Sequence, residues 1–189
     1  MPNWSFNRLS VHAEDENERA EVQRLRNFIK RVVTDEKGTQ VEIPFSFQNV
    51  IPMPAELEGT RAPVEDPNSD ENKALRAKYG YDNWYDWRWE HWGTKWDACD
   101  AEIEESDDSD LSISFDTAWS FPTPVVVELS KLFPTLTFCY DANEEGGLYD
   151  FVVNFKNGEV VYYADWEEGE DGERVEVQKP EESFWMPTK

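Results

Sequence analysis

Five of the nine tryptophans in this 189-residue chain fall in one run, Tyr79-Gly80-Tyr81-Asp82-Asn83-Trp84-Tyr85-Asp86-Trp87-Arg88-Trp89-Glu90-His91-Trp92-Gly93-Thr94-Lys95-Trp96. Indole rings are costly to leave in water, so a run this dense must fill a core or build a surface that grips something. The next segment has the opposite character: residues 97–110 carry eight carboxylates and no basic side chain. Whatever the fold, an aromatic block and an acid block lie next to each other in it.

The length suits one domain with a large insertion, and such a chain buries roughly 70% of its unfolded surface, enough for a core without covalent staples. No stretch of about 18 apolar residues is present to span a membrane, and the first residues lack the basic and apolar regions of a secretory signal. Cys99 and Cys139 are too few for a disulfide framework, so a reduced, cytosolic protein is expected, with Cys139 an ordinary buried thiol. The net charge of −23 is uneven. Residues 1–96 have 13 Lys and Arg against 17 Asp and Glu, or −4; residues 97–189 have 5 against 24, or −19. Such a field repels nucleic acid and draws in basic protein surfaces. It also serves solubility alone, and charge by itself does not separate the two.

Along the chain, Trp4–His12 reads as a strand whose apolar positions change phase between Phe6 and Leu9, suggesting a bulge or a late start. Glu14–Val33 reads as a helix with Val22, Leu25, Phe28, Ile29 and Val32 on one stripe. Val41, Ile43, Phe45 and Phe47 alternate with polar residues or proline, as in a half-buried strand, with Pro44 hinting at an edge. Residues 50–67, with four prolines, form a loop, and a short helix capped by Asn68 or Ser69 ends at Gly80. The tryptophan block shows no clear period. Leu111, Ile113 and Phe115 mark a strand, Thr123-Pro124 opens a helix that Pro134 stops, and Leu136, Phe138 and Tyr140 mark another strand. Tyr149–Phe155 and Val160–Tyr163 flank Asn157-Gly158, a strong hairpin signal. The order predicts an α+β, ferredoxin-like βαββαβ sandwich over residues 1–165. A Trp-rich crossover insertion at about 50–110, an added C-terminal hairpin and an acidic tail at 166–189 complete it.

Several short motifs stand out: Met1-Pro2-Asn3-Trp4, Asn7-Arg8-Leu9, Ile51-Pro52-Met53-Pro54, Tyr79-Gly80, Asn83-Trp84-Tyr85-Asp86-Trp87, Trp92-Gly93-Thr94-Lys95-Trp96-Asp97 and Phe115-Asp116-Thr117-Ala118-Trp119. In these motifs the chain resembles the YubB ferredoxin-like family of phage and conjugative-plasmid proteins. The resemblance extends from residue 1 to about 165; Ser5 departs from the family's cysteine. The resemblance implies the fold and a genetic setting, an accessory gene of a mobile element working in the bacterial cytosol. It implies no activity and supplies no functional residues.

Two constellations stand out as contact surfaces for a partner. The first is Asp100, Glu102, Glu104, Glu105, Asp107, Asp108 and Asp110, together with Asp97 just before them. If that run is extended, Glu102 and Glu104 point to one side about 6.6 Å apart, near the spacing of phosphates on one nucleic-acid strand. A row of carboxylates of this kind suits the basic groove of a nucleic-acid-binding host protein; the plain alternative is a solvated linker. The second is the tryptophan block, with Trp87, Trp89 and Trp92 as anchors if exposed, and as a small core around Gly93 if not. Arg88 is placed to stack on an indole. The tail acids Asp165, Glu167, Glu168, Glu170, Asp171, Glu173 and Glu176 match no calcium loop. His12 and His91, the only histidines, read as structural, although His91 beside Glu90 would suit a general base in an aromatic pocket. The expectation is a non-enzymatic, acidic binding protein without metal or cofactor, partnered with a basic host protein or nucleic-acid-binding complex. Anti-restriction or anti-CRISPR inhibition by mimicry is the function this points to.

Overall fold

The computed structural model describes residues 2–35, 37–169, 171 and 173–184, with the side chains of Glu105 and Ser106 outside that description. Met1, Glu170 and Trp185 also lie outside it. In chain order the elements are β1 (Trp4–His12), α1 (Glu16–Ile29), β2 (Arg31–Thr34), β3 (Gln40–Ile43), α2 (Phe47–Val50), α3 (Ala55–Glu58), α4 (Asp70–Tyr79) and α5 (Trp84–Trp92). Then come β4 (Cys99–Ser106), β5 (Asp110–Ala118), α6 (Thr123–Leu132), β6 (Phe138–Glu144), β7 (Asp150–Lys156), β8 (Glu159–Glu168), β9 (Arg174–Gln178) and a 3-10 turn (Glu181–Ser183).

Seven strands form one antiparallel sheet in the order β4-β5-β1-β6-β7-β8-β9. Taking β1, α1, β4, β5, α6 and β6 alone gives strand, helix, strand, strand, helix, strand with β1 between β5 and β6, which is the ferredoxin-like topology. The remaining strands extend the sheet past β6.

Two expectations about placement are corrected. The second strand of the motif is β4, the acid run itself, and residues 41–48 take no part in the main sheet. The crossover insertion therefore runs from the end of α1 to β4 and not over 50–110. The physical cause lies at the end of α1. Asn49 Nδ2 donates to the Phe28 and Lys30 carbonyls at 2.9 and 2.5 Å, and Ser46 N donates to Ile29 O at 3.1 Å. Those bonds satisfy the orphan carbonyls and end the helix at Ile29, before Val32. The β-branched pair Val32 and Val33 then joins Val41 in a separate two-stranded hairpin, β2 and β3. After Pro44 the chain turns inward, and Phe45 and Phe47 are fully buried. The Asp97 carboxylate fixes that turn, accepting from Ser46 Oγ at 2.7 Å and Phe47 N at 2.6 Å.

The tail is corrected too. Residues 174–178 form β9 against β8, and Phe184 is buried against Phe151, Phe155 and Tyr163. Arg174 anchors the strand: its Nε donates to Asp150 Oδ2 at 3.0 Å and its guanidinium lies 4.2 Å from the Trp166 ring.

Strand β1 has no bulge, because its pairing with β5 is continuous from Trp4↔Ala118 to His12↔Asp110. Its apolar phase changes because Ser5 and Asn7 point into the core beside Leu9 and Val11, while Trp4 and Phe6 stand on the other face. On the core side, Leu9, Val11, Ile113, Phe115, Phe138, Tyr140, Val153 and Phe155 meet Val22, Leu25 and Ile29 of α1 and Val125, Val126 and Leu129 of α6. Asn157 and Gly158, both with positive φ, close the expected β7–β8 hairpin.

Candidate functional site

Both core helices lie on one side of the sheet, so the opposite face is open. Strand alternation and register place Trp4, Phe6, Arg8 and His12 of β1 on it, next to Ser114 and Asp116 of β5. Asp141 of β6, Asp150 of β7, Trp166 of β8 and Glu176 of β9 continue it on one side, and Glu102 and Glu104 of β4 border it on the other. Carboxylates dominate this face. Arg8, Arg174, Lys156 and His12 are its basic groups.

The acid run divides into two parts. Asp100 and Glu102 are exposed and have no side-chain partner among the described residues. Asp100 sits at a β-bulge with φ 46°, where its strand slips register against β5. Glu104 is exposed but paired with Arg8 Nε at 3.0 Å. Glu105 continues the strand opposite Ser112. The other part is structural. Asp107 Oδ1 accepts from Ser109 N at 2.6 Å and Asp110 N at 2.8 Å, bonds that hold its pKa below the usual carboxylate value. Asp108 accepts from Gln23 Nε2 at 3.1 Å, and Arg26 donates to the Asp107 carbonyl, so the β4–β5 turn is tied to α1. Asp110 faces His12 Nδ1 at 2.6 Å.

That last contact gives a first testable expectation. The hydrogen bond from His12 to Asp110, and then the carboxylate's charge, raise the imidazole above its ordinary 6.5. The pair's contribution to stability is thus full below the ordinary histidine pKa and is lost as pH rises through the raised value. An NMR titration should show His12 above His12 in Asp110→Asn. Equal midpoints would mean that the pair does not form.

The tryptophan block is a helix, α5, capped by Asn83 Oδ1 on Asp86 N at 2.9 Å and ended by Gly93 at φ 75°. A β-carbon at Gly93 would come within 2.9 Å of Pro124 Cδ. Trp87 and Trp92, expected as anchors, are instead core: they are 4% and 1% exposed and meet edge to face at 5.9 Å. Inserting them under the sheet buries two large apolar rings, which removes them from any contact surface. Trp89 is half-buried, packed on Tyr85 at 6.1 Å, with its indole nitrogen buried. Arg88 lies over Trp84 and Trp92 at 5.0 and 4.8 Å, and burial pulls its pKa down. His91 stacks on Trp87 at 4.1 Å with Nδ1 2.9 Å from the Trp87 carbonyl.

Sequence reasoning passed over a second aromatic group. Trp4 meets Trp96 at 6.0 Å with the rings tilted by 41°, Trp96 stacks on Trp119 at 6.4 Å, and Lys95 Nζ lies 4.7 and 5.0 Å from the Trp96 and Trp119 rings. Trp119 is 39% exposed and adopts φ 68°, a conformation that a bulky residue rarely takes. Its amide donates to Asn3 O at 2.8 Å, which holds the strained turn. With exposed Phe6, this group forms the aromatic end of an otherwise acidic face.

Among the described residues no group of three or more His, Cys, Asp or Glu is placed to hold a metal ion. No described helix is long and apolar enough to cross a membrane.

Strand order and helix placement define a ferredoxin-like α+β protein. Residues 91–184 match the family described as the ferredoxin-like domain in Api92-like protein, a segment that begins within α5 and leaves out β1 and α1. Among solved structures, the crystal structure of protein api92 from Yersinia pseudotuberculosis is similar, with a TM-score of 0.49 and 10% identity over 89% of this chain and 99% of that one. No curated protein matches the chain.

Proposed function

We propose that this is a binding protein that engages a basic protein surface through the open face of its sheet. One observation carries the reading: a helix-free sheet face bordered by Asp100 and Glu102, neither with a protein partner among the described residues, and ending in the stacked Trp96 and Trp119. Interfaces gain most of their energy from a few aromatic anchors, while surrounding charge sets encounter rate and choice of partner. Surfaces basic enough to complement such a face are typical of nucleic-acid-handling factors. With the resemblance to phage and plasmid proteins added, the reading extends to an accessory protein of a mobile element that inhibits a host restriction or CRISPR-type complex in the cytosol. Pairing of Glu104 with Arg8 interrupts the phosphate-like row, so the proposal rests on complementary charge and aromatic anchoring and does not require a mimic of the nucleic-acid backbone.

The test is capture of partners on the immobilised protein and on a Glu102→Lys, Glu104→Lys variant. A nucleic-acid-binding complex is expected that DNA competes away and high salt strips off. The variant should bind it about tenfold or more weakly, the effect of reversing charges across a complementary interface. A partner held equally by the variant, or indifferent to salt and DNA, would assign the acids to solubility.

A further inference from the structure

The insertion holds a cleft of about 610 Å³ between its proline-rich loop and the start of α5, and the sheet-face reading makes no use of it. That volume is within the range of small-ligand sites. Pro63 and Pro67 form one wall, and Tyr81, Trp84 and Tyr85 form the other.

The polar groups of the cleft decide what charge it takes. Arg76 is neutralised by Asp82 and also donates to the Pro67 carbonyl. Lys95 also lines the cleft, and its ammonium lies over the Trp96 and Trp119 rings. Asp82 also accepts from Asn83 Nδ2 at 2.9 Å. Asp86 accepts from the same amide at 2.8 Å through Oδ2, which leaves Oδ1 without a protein partner among the described residues. Asp86 is exposed. Burial, and after it the nearby charges of Glu90 and Asp86, push the Tyr81 phenol up. Aromatic walls with one unneutralised carboxylate suit a cation carried on an apolar stem. The chain already makes this contact once, where Arg88 stacks on Trp84.

We propose that this cleft receives an arginine side chain of the basic partner, its guanidinium stacked on the Trp84 and Tyr85 walls and hydrogen-bonded to Asp86. Arginine fits better than lysine because its planar, weakly hydrated head stacks and bonds a carboxylate together. The inference rests on the reading that the partner is basic.

The experiment uses the isolated full chain and three blocked tripeptides, Gly-Arg-Gly, Gly-Lys-Gly and Gly-citrulline-Gly, followed by ¹H–¹⁵N and aromatic NMR. Saturable shifts are expected at the Trp84 indole, Tyr81 and Tyr85, strongest for arginine and absent for citrulline, which keeps the shape and loses the charge. Asp86→Asn, which preserves the cap on Asn83, should weaken arginine binding about tenfold, the scale of one stacked, charge-assisted contact. Glu102→Lys should leave it unchanged, so failure of the sheet-face reading and failure of this one are told apart. Equal binding of citrulline, shifts confined to the sheet face, or no saturation would overturn the proposal.

Discussion

Trp92→Ala is expected to lower stability by about 3–5 kcal/mol, the range for removing a fully buried large aromatic side chain. The ring is 1% exposed, meets Phe47 at 5.8 Å and Trp87 at 5.9 Å, and donates from Nε1 to the Ile51 carbonyl at 2.9 Å. Alanine leaves a cavity, takes the indole donor from Ile51 and removes one of the two rings under Arg88. For a domain of this size, each kcal/mol moves the melting temperature by roughly 2–4 °C, so a fall of about 10 °C is expected in a calorimetric or circular-dichroism melt. Trp119 provides the contrast. It is partly exposed and strained at φ 68°, so Trp119→Gly relieves the backbone and should leave the melt within about 1 kcal/mol of wild type. If instead Trp92→Ala melts with wild type, the Trp92 ring is not part of the stabilising core.

The pair shows how far the sequence could be read. A dense tryptophan run demands burial or contact, and composition cannot separate the two. In α5, Trp84, Tyr85, Trp87, Trp89 and Trp92 surround the helix, so no apolar stripe reveals its period or its buried side. The exposed aromatics are Phe6 and Trp119; pairing of β1 with β5 across more than a hundred residues brings Trp119 to the Trp4 and Trp96 group, and no local pattern announces that. Strands with regular alternation, such as β5 and β6, were legible, as were the Ser69 and Gly80 helix caps and the Asn157-Gly158 turn. Strand β4 was harder, because Asp and Glu disfavour strands and only Ala101 and Ile103 mark its inward side. Its carboxylates stay hydrated at the sheet edge, where like charge also discourages edge-to-edge pairing. Three of the seven acids expected on the contact surface, Asp107, Asp108 and Asp110, are turn chemistry: Asp107 binds backbone amides, and partners of that kind lie outside any one-dimensional pattern. The phase change in β1 misled for a related reason, since the polar residues there are the inward ones.

One of them, Asn7, carries the second large expectation. Its side chain is buried between sheet and helices, and Nδ2 reaches the Ser5 carbonyl at 2.8 Å, the Phe115 carbonyl at 3.0 Å and Thr117 Oγ1 at 3.0 Å. Its Oδ1 accepts from the fully buried Tyr140 hydroxyl at 2.6 Å and from Ser5 Oγ at 3.3 Å. Asn7→Leu keeps the branched heavy-atom shape with somewhat larger volume, so a cavity is not its main effect. It strands the Tyr140 hydroxyl, and a buried donor without an acceptor costs about 1–3 kcal/mol. Loss of the amide's own bonds adds to this, and a total near 3 kcal/mol is expected in chemical denaturation. Burial also keeps Tyr140 un-ionised, its pKa held well above the ordinary value, so the phenol has no charged form with which to escape the penalty. Tyr140→Phe alone should be destabilising, because it leaves Asn7 Oδ1 with only the long bond from Ser5. Combined with Asn7→Leu it should recover a large part of the loss, since two apolar groups then meet where two polar ones did. A double-mutant cycle should therefore show favourable coupling of more than about 1 kcal/mol. Strict additivity would mean that the Asn7–Tyr140 bond is not what makes the polar residue necessary at this position in the strand.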